Sequence, residues 1–269
     1  MEIVLLTALG VGGATVIGAL IGFCFKKISH KFSDIILAFA AGIMLAAAVI
    51  GLVIPSLEYG REMVDGFAIL ITIAGIFCGA LIISVLDKIV PHLHNPDGEE
   101  NEEHQGNDML DKALLASNKN DAKTNKILLF VLAIAIHNLP EGIAAGVGFG
   151  TGNDAEAIMI ALGIALQNIP EGMVIIAPML AAGISPRKTF LIASLTGLVE
   201  VVGTFIGYFA VNLAGAILPF ALAFAGGTML YVISDEMIPE THHNGYQRAS
   251  TYSLLVGFSV MLLMDFFIG

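Results

Sequence analysis

Hydrophobic residues along this chain form long uninterrupted blocks, and polar residues gather in the short stretches between them. None of the blocks shows the apolar–polar alternation of a membrane barrel strand. The pattern therefore predicts an all-α, polytopic membrane protein that forms a single domain over 1–269. Eight blocks have the roughly 20 residues that a helix needs to cross a bilayer, at positions 3–25, 34–57, 66–90, 127–149, 155–181, 189–211, 214–234 and 252–268.

Composition supports membrane insertion of these blocks. The chain is 57% hydrophobic and 13% charged, whereas soluble domains carry about 25% charged residues. Its thirty glycines include small-residue pairs four apart, such as Gly142 and Gly146, which allow membrane helices to approach closely. The first 25 residues lack the cationic region and cleavage site of a secretory signal, so they are predicted to be the first span.

The basic residues predict the orientation of the spans. The loops after spans 1, 3, 5 and 7, with the adjoining end of span 3, hold eleven of the twelve Lys and Arg residues, and only Arg61 falls on the other side. Because cytoplasmic loops are enriched in Lys and Arg, these four loops are predicted to lie in the cytoplasm. Both termini would then face outward from the cell inner (plasma) membrane.

The longest loop, 91–126, is acidic and contains histidines. Its composition predicts a mobile cytoplasmic segment. Two interpretations stay open: a solvated connection, or a weak metal-collecting tether that uses His92, His94 and His104. Cys24 and Cys78 lack CxxC spacing and are predicted to be small buried residues rather than a disulfide or thiolate site.

Two hexapeptides repeat one polar pattern inside spans 4 and 5: HNLPEG at 137–142 and QNIPEG at 167–172. The first and fifth positions of each are four residues apart and the second and fifth are three apart, so all three point to roughly one helix face. The residues at these positions are His137, Asn138, Glu141, Gln167, Asn168 and Glu171. Pro140 and Pro170 remove a backbone donor and are predicted to kink both helices. Spans 4 and 5 run in opposite directions, so the two polar faces can meet at one depth.

A third carboxylate, Glu200, lies in the middle of span 6, and no span contains a basic residue to neutralise it at that depth. Charged groups at the bilayer centre are costly. Taken singly, an intramembrane histidine can be a core hydrogen-bonding group, and a glutamate can be a proton relay. The duplicated pattern with a third carboxylate favours a site for divalent first-row metals, which carboxylate, imidazole and amide oxygens suit.

At these residues the chain resembles the ZIP (Zrt-, Irt-like protein) family of divalent metal transporters, and its GufA-like branch most closely. The resemblance implies a ZIP-like helix bundle with a binuclear site. One metal would be held by His137, Glu141, Gln167 and Glu171. The other would be held by Asn138, Asn168 and Glu200, with Glu141 and Glu171 bridging the two. Some relatives have aspartate at the position of Asn168, so the second site carries less charge here.

The resemblance also implies an elevator-type movement of helices 1, 4, 5 and 6 against helices 2, 3, 7 and 8. An inverted repeat would relate helices 1–3 to helices 6–8. A second polar cluster, at the cytoplasmic ends of spans 3 and 7, is a candidate exit or regulatory metal site. Its members are Asp87, His92, His94, Asp235, Glu236, Glu240, His242 and His243.

These features predict a transporter that moves divalent metal, with Zn²⁺ first and Cd²⁺, Fe²⁺ and Mn²⁺ as alternatives, into the cytoplasm. No nucleotide-binding motif is present, so ion gradients or voltage would supply the energy. A divalent cation antiporter is the first alternative. An intramembrane metal-dependent hydrolase is less favoured, because no HExxH motif occurs. The expected partners are metal ions, as substrate rather than cofactor, and the lipid bilayer, with a homodimer open and no nucleic acid or enzymatic activity.

Overall fold

The computed structural model describes residues 1–25, 29–89, 137–181, 183–213 and 215–268. The predicted loop 91–126, with His92 and His94, and the first part of span 4 lie outside these residues, as does the side chain of Asp87. Every regular element in the described part of the chain is helical, and none of its residues forms a strand. The predicted all-α class is confirmed.

Eight helices follow one another along the described residues. Seven of them, all except α4, are long and apolar enough within the described residues to cross a membrane. Their bounds are α1 Glu2–Cys24, α2 His30–Val64, α3 Ala68–Ile89, α4 137–148, α5 Asp154–Ala181, α6 Pro186–Leu213, α7 Gly215–His243 and α8 Gln247–Ile268.

Polar and special residues mark where the helices begin and end. The hydroxyl of Ser29 accepts the N–H of Phe32 and caps α2. The side-chain oxygen of Asn153 accepts the N–H of Ala155 at 3.1 Å and caps α5. Gly245, with φ of 86°, makes the left-handed turn between α7 and α8 that other residues rarely adopt. These local signals mark the beginning of α2, the beginning of α5 and the turn between α7 and α8.

Two helices, α2 and α7, each contain a π-helical segment directly before an Ile-Pro pair. The segments are Ala47–Val53 and Ile233–Met237. Because proline lacks an N–H and crowds the carbonyl four residues earlier, the preceding backbone widens. The N–H of Ile54 accordingly bonds to a carbonyl five residues back, as does that of Ile238. Both helices continue past the predicted ends at 57 and 234.

Packing divides the helices into two groups. α1 lies against α5 and α6, and α4 lies against α6; we call α1, α4, α5 and α6 the motif unit. α2 lies against α8, and α3 lies against α7, which also contacts the π segment of α2; we call α2, α3, α7 and α8 the support unit. The units meet chiefly where α2 and α8 contact α5.

Glycines allow the backbones inside each unit to touch. A Cβ atom built on Gly12 of α1 would lie 2.2 Å from the carbonyl oxygen of Gly197 in α6. A Cβ on Gly42 of α2 would lie 2.0 Å from the carbonyl of Leu254 in α8. Only glycine fits at such distances, so each unit is held by direct backbone approach of the kind that small residues allow in membranes.

The outward faces of the bundle are apolar. Phe77 of α3 is 72% exposed, and Phe266 of α8 is 81% exposed. Cys24 and Cys78 are free and also exposed, so their predicted burial is wrong. The physical reason is that they lie on helix faces directed away from the bundle, where a membrane protein presents apolar side chains to lipid instead of water.

Candidate metal centre

The two repeated hexapeptides meet between α4 and α5. The side-chain amide of Gln167 donates a hydrogen bond to Oε1 of Glu141 at 3.0 Å. Gln167 is 0% exposed and Glu141 is 1% exposed. This contact places the first residue of the α5 motif against the fifth residue of the α4 motif.

Glu200 of α6 joins the same centre as an acceptor of several hydrogen bonds. Asn168 donates to its Oε2 at 2.7 Å, and Asn138 donates to its Oε1. The carboxylate is fully buried, and these amides replace the water that it would otherwise bind. The motif asparagines and the third carboxylate therefore form one connected network.

α1 completes this network, which the sequence did not predict. The hydroxyl of Thr15 donates to Oε1 of Glu200 at 2.7 Å, and the carbonyl of Val11 accepts the Asn168 amide at 3.3 Å. Nothing in the local pattern of span 1 distinguishes Thr15 from Thr7. A backbone carbonyl carries no signal in the residue types at all, so only the packing of α1 against α5 and α6 shows the contribution.

Four buried oxygen atoms of this centre accept no hydrogen bond. Buried polar atoms normally have a partner, because an unpaired one is costly. Oxygens without donors, grouped on facing helices, are the arrangement that a bound cation satisfies. The atoms are Oε2 of Glu141, Oε1 of Gln167, Oδ1 of Asn168 and Oε1 of Glu171.

The carboxylates and histidines do not converge on one point in this arrangement. Among the described residues, no three His, Cys, Asp or Glu side chains are placed to hold a metal ion. Two reasons are visible: amide donors occupy Glu141 and Glu200, and the imidazole of His137 has another partner. The amide oxygens of Gln167 and Asn168 supply the remaining candidate ligands.

His137 pairs with an acidic residue of the support unit. Its Nε2 lies 2.8 Å from Oε2 of Glu236, in the π segment of α7. The two side chains are 24% and 14% exposed. The contact therefore joins the first residue of the α4 motif to a helix of the other unit.

Exposure of the centre changes along the bundle axis. His137 and Glu171 are half-buried, whereas Gln167 and Asn168 are fully buried. Toward the opposite end, the space between the units is filled by apolar side chains, including Met159, Ile160 and Leu52. We call the side with the half-buried residues the His137 end and the side with the apolar filling the Tyr59 end.

Five members of the predicted exit cluster lie among the described residues. Glu236 contacts His137, as above. His242 is held by the carbonyl of Ile238, 2.7 Å from its Nδ1. Asp235, Glu240 and His243 are exposed. The side chains of Asp87, His92 and His94 lie outside the described residues.

The Tyr59 end carries negative charge from both units. Glu156, at the beginning of α5, interacts electrostatically with Glu58 of α2 and Asp265 of α8. Such a grouping attracts cations by its field.

Comparison with known proteins places the chain in a family. Residues 2–265 match the family model described as ZIP Zinc transporter. The chain belongs to the ZIP family. It is 39% identical to "Zinc transporter GufA" of Myxococcus xanthus, covering 98% of each chain. It is 35% identical to "Zinc transporter ZIPB" of Bordetella bronchiseptica over 95% of this chain and 78% of that protein. It is 32% identical to "Zinc transporter ZIP11" of Homo sapiens over 96% of this chain and 94% of that protein.

Membership of the ZIP family confirms the predicted resemblance. The matched region covers α1 to α7, including the motif-bearing α4, α5 and α6, and all but the last three residues of α8. The apolar helices and the family together make the chain a multi-pass membrane protein of metal transport. Its relatives carry names of transporters rather than of enzymes.

Proposed function

We propose that this ZIP protein carries divalent metal ions, Zn²⁺ first, into the cytoplasm through a binuclear site between α4, α5 and α6. The observation that carries the proposal is the group of four buried acceptor oxygens without donors on α4 and α5. A cation would satisfy them, and no other described group does. The names of the zinc-transporting relatives support the choice of metal.

The donor set divides into two metal positions. One uses His137, Gln167 and the two motif glutamates, whose imidazole and oxygen ligands suit Zn²⁺ and its neighbours. The other uses Asn138, Asn168 and Glu200, bridged by the same glutamates. When metal enters, the amide donors of Gln167 and Asn168 turn away, and their oxygens become ligands. The carboxylate of Glu200 then loses hydrogen bonds from these donors and binds the metal instead.

Transport proceeds by movement of the motif unit against the support unit. The close backbone contacts inside each unit support rigid-body motion, because they cannot adjust without separating whole helices. The contact between units is different: Gly163 of α5 faces the flexible side chain of Met261. Such side chains can repack as one unit slides past the other. This is an elevator-type alternating access.

Orientation follows from the basic loops, which we assign to the cytoplasm of the cell inner membrane. The His137 end then faces the cytoplasm, and the acidic Tyr59 end faces outward. In this conformation the metal centre is open to the cytoplasm and sealed on the outside. The exit cluster at the His137 end and a homodimer through the exposed α3 and α8 faces stay predictions.

Metal uptake into proteoliposomes tests the function. The wild type is expected to take up Zn²⁺ from a panel that includes Cd²⁺, Fe²⁺ and Mn²⁺. Glu141→Gln and Glu171→Gln should each reduce uptake at least about 100-fold, since each removes a charge shared by two cations. Glu2→Gln, on the exposed first turn of α1, is the matched control and should transport normally.

The same vesicles separate the alternatives. Uptake that requires release of a second divalent cation would favour an antiporter, and turnover of added lipid or peptide would favour a hydrolase. Unchanged uptake in both glutamate variants would remove the binuclear site from consideration.

A further inference from the structure

Among the described residues, two polar contacts between the motif unit and the support unit lie on different sides of the apolar space between the units, one beside the metal centre and one at the Tyr59 end. The first is the His137–Glu236 pair already described. The second lies at the Tyr59 end, where the hydroxyl of Tyr59 in α2 donates to the backbone carbonyl of Thr151 at 3.1 Å. Neither motif predicts this second contact, and no feature of the metal centre requires it.

Tyr59 lies on α2 next to a turn that hydrogen bonds hold in place within the support unit. One turn earlier, the buried hydroxyl of Ser56 donates to the carbonyl of Pro219 in α7 at 2.6 Å and contacts the hydroxyl of Thr72 in α3 at 2.8 Å. A hydroxyl has one proton, so Ser56 must accept from Thr72. This turn of α2 is therefore tied to two other helices of its own unit.

The carbonyl of Thr151 is equally fixed, but within the motif unit. It lies in the turn from α4 to α5. The hydroxyl of Thr151 donates to the carbonyl of Gly148 at 2.9 Å and accepts the N–H of Asn153 at 3.2 Å. Gly152, with φ of 76°, completes the turn. Because the turn links the two helices that carry HNLPEG and QNIPEG, its carbonyl must move wherever those motifs move.

We propose that Tyr59 is a positioning residue whose hydrogen bond to Thr151 holds the Tyr59 end closed while the metal centre is open at the His137 end. The inference rests on the proposed movement of the two units. The bond joins a fixed turn of one unit to a fixed turn of the other, so any sliding that opens the Tyr59 end must break it. Its contribution favours the closed state over the open state by about 2- to 10-fold, the range expected for one hydrogen bond.

Cysteine accessibility tests this role. A single reporter, Ile160→Cys, is placed on α5 in a chain with Cys24 and Cys78 changed to Ser, and is labelled in proteoliposomes with a membrane-impermeant maleimide. Ile160 is 0% exposed and faces Gly51 of α2 in the closed state, so labelling reports opening of the Tyr59 end. Tyr59→Phe keeps the ring and is expected to raise the labelling rate about 2- to 10-fold.

A control variant and two further measurements separate a role of Tyr59 in closing the Tyr59 end from a role in stability. Tyr252→Phe, which removes a hydroxyl from a 71% exposed tyrosine of α8, should leave the rate unchanged. Amide hydrogen exchange in 149–156 should also rise in Tyr59→Phe alone. A bond that serves stability only would lower the unfolding temperature without changing the labelling rate, and that result would overturn the proposal.

Metal uptake is recorded in the same preparations. A wild type that transports metal, with equal labelling in Tyr59→Phe and Tyr252→Phe, refutes the role of Tyr59 and leaves the transport function standing. A wild type that transports no metal refutes the transport function, and the role of Tyr59 with it.

Discussion

The inside of the motif unit and the surface between the two units are held together by different kinds of contact. Inside the unit, backbones touch: a Cβ on Gly142 of α4 would lie 2.2 Å from the carbonyl oxygen of Glu200 in α6. Between the units, side chains touch: a Cβ on Gly163 of α5 would meet the sulfur of Met261 in α8 at 2.7 Å. A backbone cannot move aside alone, whereas a methionine side chain can change rotamer.

The polar contacts follow the same division. The motif unit encloses a continuous network in which Thr15, Asn138 and Asn168 all donate to Glu200. The space between the units is mostly apolar, with hydrogen-bonded or ionic contacts at its two ends. Tight backbone packing and a shared buried network preserve the geometry of a site during movement, whereas apolar side-chain contact allows the movement itself.

Gly142→Ala should have the largest effect, because the new methyl group can be accommodated only by separating α4 from α6. We expect destabilisation of at least about 3 kcal/mol, the upper part of the range for overpacking, and loss of metal uptake. Thermal unfolding in detergent measures the destabilisation. Gly10→Ala, where no atom lies within 4 Å of the added Cβ, is the control. Normal unfolding of Gly142→Ala would contradict the close approach of these helices.

Glu200→Gln should have the next largest effect. It removes a charge and places an amide donor among the donors of Thr15, Asn138 and Asn168. We expect the number of bound metal ions to fall from two to one. Since metal displaces protons from carboxylates, wild-type affinity should fall as pH falls, and the variant should depend less on pH. Calorimetric titration of Zn²⁺ at several pH values measures both, and identical stoichiometry and pH profiles would place Glu200 outside the metal site.

Thr15→Val should have a moderate effect, because it keeps the shape of the side chain and removes one of the three donors to Glu200. The expected loss of unfolding free energy is about 1 kcal/mol, as for a single buried hydrogen bond. Thr7→Val, on the same helix, is the matched variant and should change stability less. Denaturant titration in mixed micelles compares the two, and equal losses would argue against a specific role of Thr15.

Gly163→Ala should have the smallest effect on stability, within about 1 kcal/mol, because the end of the Met261 side chain can move away from the new methyl group. The substitution should instead change the rate of transport, because the added methyl group lies on the surface between the units. Initial rates of Zn²⁺ uptake, compared with unfolding temperatures, test this. A stability loss as large as that of Gly142→Ala would erase the proposed difference between the two surfaces.

The sequence by itself determined the helical class, the long apolar helices and the two motifs that carry the polar residues. Long apolar blocks permit little else in a bilayer, where every backbone group must be bonded within the chain. The pairing of His137 and Asn138 with Glu141, repeated at 167–172, identified the motif helices, because residues three and four apart share a face. The hydrogen bond between Gln167 and Glu141 lies where the two motif faces meet, but its partners were found only in the structure.

Only the tertiary structure decided the contributions of Thr15 and Val11 from α1, the pairing of His137 with Glu236 and the bond from Tyr59 to Thr151. Each depends on which helices are neighbours across long separations in the chain, which local periodicity does not encode. Local periodicity does not predict the π segments of α2 and α7 either. A proline marks a break in hydrogen bonding, but the packing around it decides whether the helix ends there or widens and continues.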